Sequence, residues 1–130
     1  MISKALKNSI GIHHIVFTVV DILETEKFYS KIFGAPDRAD GAKILYTVGP
    51  TLLIFMQKST PNPLIKKFDP TVIGLEHFAI GLKNLDELQQ VEEVLTENQI
   101  ANSGIHIDSD SGREKIWLND PSNIRIEFFL

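Results

Sequence analysis

The sequence predicts an α+β fold, with two tandem βαβββ modules forming a curved mixed sheet around a cleft. Three observations carry that expectation. A Gly-x-x-His segment occurs twice, beginning at Gly11 and at Gly74, 63 residues apart. Each copy runs into a stretch of period-2 alternation, the mark of a half-buried strand. Each strand is followed at the same offset by a helix-capping residue and an amphipathic helical pattern.

Taken in order, the first strand begins at His14 and carries Ile15, Phe17 and Val19 on one side, with His14, Val16 and Thr18 on the other. Asp21 is a good N-cap for the next helix, and Glu24, three residues on, suits a capping box. Ile22, Phe28, Tyr29, Ile32 and Phe33 form its apolar face, and Gly34 stops it. Strands are expected near 36–39, at 43–48 and at 52–57, with turns at Gly41 and at Gly49-Pro50. The segment 58–73, with Pro61, Pro63 and Pro70, reads as the connection between modules 11–57 and 74–130.

The second module repeats the plan. Phe78, Ile80 and Leu82 alternate with His77, Ala79 and Gly81, and Asn84 with Glu87 repeats the cap. Leu85, Leu88, Val91, Val94 and Leu95 make the helical face. Strands are expected at 101–107, 114–118 and 124–129, with a turn over Asp120-Pro121-Ser122-Asn123.

Composition narrows the function. The 130 residues carry a formal net charge of −4 and no basic block beyond Lys66-Lys67, so nucleic acid is a poor partner. No apolar run reaches the length of a membrane span, and the N-terminus lacks the apolar stretch of a secretory signal, so a cytoplasmic protein is expected. There is no cysteine, so any metal must be held by imidazole and carboxylate.

Parity sorts the candidate ligands. In the last strand Ile124, Ile126 and Phe128 pack, while Arg125, Glu127 and Phe129 face the other way. His14, His77 and Glu127 therefore all fall on the side of the strands away from the helices, and Lys115 and Trp117 join them by the same rule. Two imidazoles and a carboxylate form a ligand set for a borderline divalent ion with positions left open. Parity leaves their convergence open. Glu127 is equally readable as the polar side of an amphipathic strand, neutralised by Lys115 or Arg125.

The repeated Gly-x-x-His and the closing run Asn119-Asp120-Pro121-Ser122-Asn123-Ile124-Arg125-Ile126-Glu127 resemble the vicinal oxygen chelate superfamily of glyoxalase I, bleomycin-resistance proteins, fosfomycin transferases and extradiol dioxygenases. The resemblance spans nearly the whole chain. Family members often close on Asp-Pro-x-Gly-Asn-x-x-Glu, and here the Gly is absent. The resemblance implies a metal in the cleft, with ligands from the first and last strand of each module. Carried over, these are His14, Phe55, His77 and Glu127, with Phe55 in place of a fourth ligand. That argues against glyoxalase I. Trp117 stands where dioxygenases carry a catalytic Tyr, and Val16 where fosfomycin transferases usually carry Thr.

The resemblance implies a metal-dependent enzyme, a lyase, isomerase, transferase or dioxygenase. It would use Fe, Mn, Ni, Co or Zn to bind a small substrate through neighbouring oxygens. The base would be metal-bound hydroxide or the catalytic candidate Glu127, the sequence offering no other, and Phe55, Tyr46, Lys115, Trp117 and Arg125 are the expected cleft residues. The alternative is a non-catalytic drug-binding protein of the bleomycin-resistance type. Small two-module members commonly form homodimers, so a homodimer is expected, and the halves pair either within a chain or between chains.

Overall fold

A computed structural model describes residues 4–60 and 62–130. Pro61, within the expected connecting segment, lies outside the described residues. A short helix α1 (Lys4–Lys7) precedes two modules of the same plan. The first is β1 (His14–Thr18), α2 (Ile22–Phe33), β2 (Arg38–Ala39), β3 (Lys43–Val48) and β4 (Thr51–Met56). The second is β5 (His77–Gly81), α3 (Leu85–Glu97), β6 (His106–Ile107), β7 (Glu114–Asn119) and β8 (Arg125–Phe129). The sheets have orders β1-β4-β3-β2 and β5-β8-β7-β6, and in each the outer strand pairs in parallel with the last while the remaining pairs are antiparallel. Each is thus a mixed four-stranded sheet. The expected strands at 36–39 and 101–107 shorten to two residues each.

The helices start where the caps predict. Asp21 accepts from the backbone N–H groups of Leu23 and Glu24, and Asn84 from that of Glu87. These bonds satisfy donors that a helix N-terminus leaves without intrahelical partners. In the second of these helices Glu87 also reaches back to accept from Lys83 N–H, whereas Glu24 pairs with Lys27. Gly34 ends α2 at φ 82°, a left-handed backbone that favours glycine.

The helix-facing sides of both sheets merge into one core. Phe17 stacks on Phe55 at 5.0 Å and meets Phe78 of the other module at 4.9 Å between ring centroids. Tyr29 on α2 is fully buried and donates to Asp120 of the second module at 3.0 Å. Asp120 also accepts from Ser122 and Ile124 N–H, and Ser122 Oγ accepts from Val20 N–H across the modules. The turn that lacks the family's Gly closes differently. Asn123 takes the left-handed conformation at φ 66°, which Asn tolerates better than most side chains, and bonds to Phe68 C=O and Asn119.

Candidate functional site

The site is built on the side of the second sheet away from α3. β5 and β8 run side by side with His77 level with Arg125 and Ala79 level with Glu127, and β7 places Trp117 level with Glu127. Alternation then puts His77, Lys115, Trp117, Arg125 and Glu127 on one face, while Ile116, Leu118, Ile126 and Phe128 fill the core behind them.

Glu127 is the centre of this face. It is only 4% exposed, and a buried carboxylate needs partners to offset lost hydration. Lys115 Nζ stands 3.4 Å from its Oε1, and His77 Nε2 stands 3.5 Å from its Oε2. Lys115 also pairs with Asp108 at 3.1 Å, and His77 Nδ1 lies 3.1 Å from Glu76 Oε1. Burial works to lower the Lys115 ammonium, but its bonds to Asp108 and Glu127 outweigh that and hold it above the ordinary lysine value. Asp108 is held down at about 2 by its bonds to Ser111 and by Lys115. Sequence reasoning does not single out Asp108 or Glu76. For Asp108 a signal exists, since Asp followed three residues later by Ser is a common turn pattern, and Asp108 Oδ2 indeed accepts from Ser111 N–H.

Arg125 is held differently. Its guanidinium carbon lies 3.9 Å from the centroid of the Trp117 ring, a cation–π contact, and its Nε donates to Asn119 Oδ1 at 3.4 Å. A recess of about 220 Å³ beside the same indole is lined by Ala101, Asn102, Trp117 and Asn119.

His14 does not join this cluster. Its Nδ1 meets His13 Nδ1 at 2.8 Å, so one of the two rings donates, and both side chains are exposed. Among the described residues no group of three or more His, Asp or Glu is gathered closely enough to hold a metal. β1 and β5 approach through Phe17 and Phe78, and His14 and His77 have the opposite parity on those strands. The pairing that builds the shared core therefore turns the two imidazoles away from it. The donors that do stand together, one imidazole and one carboxylate, have the chemistry a divalent ion takes, and they amount to a partial ligand set.

Two expectations are corrected. Phe55 is not a cleft residue: it is 0% exposed and lies between Phe17 and Tyr29 in the core. β4 pairs with β1 so that His14 is level with Leu52 and Val16 with Ile54, just as His77 is level with Arg125 and Ala79 with Glu127. The position in the first module equivalent to Glu127 is therefore Ile54, one residue earlier than the sequence repeat suggests. Tyr46, expected as a pocket wall, is likewise buried on the helix side, its hydroxyl 3.0 Å from that of Ser30.

Two βαβββ modules, each opening on a Gly-x-x-His strand, with an imidazole–carboxylate pair on the face away from the helices, define a class of protein. The chain belongs to the Glyoxalase/Bleomycin resistance protein/Dioxygenase superfamily, whose family model matches residues 11–128. Solved structures of the same fold include a glyoxalase/dioxygenase from Nostoc punctiforme, 21% identical with a TM-score of 0.73, covering 99% of this chain and 94% of that one. A glyoxylase/bleomycin resistance protein/dioxygenase domain from Frankia sp. EAN1pec is 20% identical with a TM-score of 0.74, covering 95% and 98%. The glyoxalase family protein from Enterococcus faecalis is 20% identical with a TM-score of 0.72, covering 93% and 98%. No curated protein matches the sequence. Among the described residues no helix is long and apolar enough to cross a membrane.

Proposed function

We propose that the protein is a metal-dependent enzyme acting on a small substrate that chelates the ion through neighbouring oxygens. The observation that carries this reading is the pair His77–Glu127, with a nearly buried carboxylate aimed at an imidazole on the face away from the core. The ligand set is completed by His14 of a second copy of the chain. Exposure supports this, since His14, Val16 and Thr18 on the outer face of β1 are all uncovered in the single chain. Fe, Mn, Ni, Co or Zn suits two imidazoles and a carboxylate, and when bound the ion supplies Lewis-acid stabilisation of a developing oxyanion. Around it Lys115 neutralises Glu127, and Trp117 and Arg125 form the wall beside His77.

Untagged protein would be analysed for bound metals by plasma mass spectrometry, beside a variant carrying His14→Ala, His77→Ala and Glu127→Gln, with sedimentation giving the oligomeric state. The expected result is a dimer retaining transition metal that the variant loses. Protein that takes up no metal after reconstitution with Mn²⁺, Fe²⁺, Ni²⁺ or Zn²⁺ refutes the enzyme reading.

A second reading, a non-catalytic binder of the bleomycin-resistance type, is favoured by one observation. Lys115 already satisfies Glu127 without any ion. Failure to take up metal in the same experiment supports it.

A further inference from the structure

Most ionisable groups around Glu127 have a partner of complementary kind. Lys115 has Glu127 and Asp108, and His77 has Glu76 and Glu127. Arg125 is the exception: among the described residues no carboxylate stands within ion-pair distance of it. It is nevertheless half-buried and oriented. The guanidinium carbon sits over the Trp117 ring, and Asn119 Oδ1 accepts from its Nε. Two contacts restrict its movement, and the planar fork of N–H donors a guanidinium carries binds a carboxylate through two parallel hydrogen bonds. Ordering a long side chain costs conformational freedom, so an Arg held in advance loses less on binding.

The position of this cation matters. Arg125 and Glu127 are two residues apart on one face of β8, a separation of about 7 Å. Arg125 is also level with His77 on the neighbouring strand. A molecule whose oxygens lie at the His77–Glu127 pair and which carries a second carboxylate a few bonds away can reach Arg125 without crossing the sheet.

We propose that Arg125, backed by Trp117 and Asn119, is a carboxylate-binding subsite, and that the substrate class is a small dianion with a chelating oxygen pair at one end and a second carboxylate at the other. This rests on the metal-centre reading for the chelating end only.

The probes are 2-oxoglutarate, which has a 2-oxoacid head and a distal carboxylate, and 2-oxobutyrate, which keeps the head and lacks that carboxylate. Binding would be followed by calorimetry and by the emission of Trp117, the only tryptophan in the chain, with and without Zn²⁺. The expected result is binding of 2-oxoglutarate tighter than 2-oxobutyrate by at least about tenfold, as for a charge-assisted hydrogen-bonded pair. Arg125→Lys, which keeps the charge and loses the planar fork, and Arg125→Gln should both erase most of that preference, with circular dichroism reporting the fold. Equal affinity for the two acids, or a preference that survives in both variants, overturns the proposal. The metal-free arm separates the two readings. A preference for the second carboxylate in protein that takes up no metal keeps the Arg125 subsite and sinks the metal centre. Metal uptake with no such preference does the reverse.

Discussion

Replacing Lys115 by Met tests how Glu127 is kept in the fold. The methionine fills most of the space of the lysine stem and removes the ammonium that stands 3.4 Å from Glu127 Oε1. The side chains of this pair are 17% and 5% exposed, so the pair is close to buried. Removing one partner of a buried ion pair costs about 3–5 kcal/mol, because a desolvated charge is left behind. Two features reduce that here: Lys115 keeps some solvent contact, and His77 remains 3.5 Å from the other carboxylate oxygen. The expected loss is then about 2–3 kcal/mol, or a fall in melting temperature of roughly 10 °C for a domain of this size. A divalent ion must compete with the ammonium for Glu127 in the native protein, and in the variant it does not. Added Mn²⁺ or Zn²⁺ should therefore restore much of the lost stability, and raise the melting temperature of the variant by more than that of the native protein, since an ion that binds only the folded chain stabilises it in proportion to its affinity. Urea unfolding gives the first number and thermal melts with and without metal give the second. A variant as stable as the native chain would show that Glu127 does not depend on Lys115. A metal-induced rise no larger than the native one would refute the competition.

Asp120→Ala leaves Ser122 N–H, Ile124 N–H and the Tyr29 hydroxyl without their acceptor and should cost about 3–4 kcal/mol in urea unfolding. Burial raises the Asp120 carboxyl above its usual value against the pull of those hydrogen bonds. A carboxyl raised in the folded state binds its proton more tightly there than in the unfolded chain, so its contribution to stability falls as pH rises from near 3.8 through the raised value. Asp120→Asn should lessen that fall as pH rises from near 3.8, and an unchanged pH profile would contradict it. In β4, Ile54→Glu places a carboxylate at the true counterpart of Glu127 and should tighten metal binding by about tenfold or more. Phe55→Glu, one residue on, should instead prevent folding by putting a charge among Phe17, Tyr29 and Tyr46. Equal tolerance of the two substitutions by circular dichroism would refute the register.

That one-residue difference shows where the sequence stops being readable. β1, β5 and β8 each open on a polar residue and place large apolar residues at every second position after it, so parity assigns the faces of His14, His77 and Glu127, and the burial of Phe17, Phe78, Ile126 and Phe128 agrees with it. The caps at Asp21 and Asn84 are equally legible, because they act within four residues of themselves. β4 reads Thr-Leu-Leu-Ile-Phe-Met and is apolar on both faces after its first residue. Such a run carries no parity, and only its ladder with β1 decides that Ile54, not Phe55, faces outward. The convergence of the ligands is unreadable for a related reason. It depends on contacts such as Phe17 with Phe78 and Tyr29 with Asp120, between residues far apart in the chain that no local pattern links. Those contacts also bear on the unfinished ligand set. The aromatic core that joins the modules uses the reverse sides of the strands bearing His14 and His77, and within the single chain the His14 imidazole meets His13 rather than His77. The proposed metal centre therefore takes its second imidazole from another copy of the chain, and the exposure of His14 leaves that imidazole accessible to one.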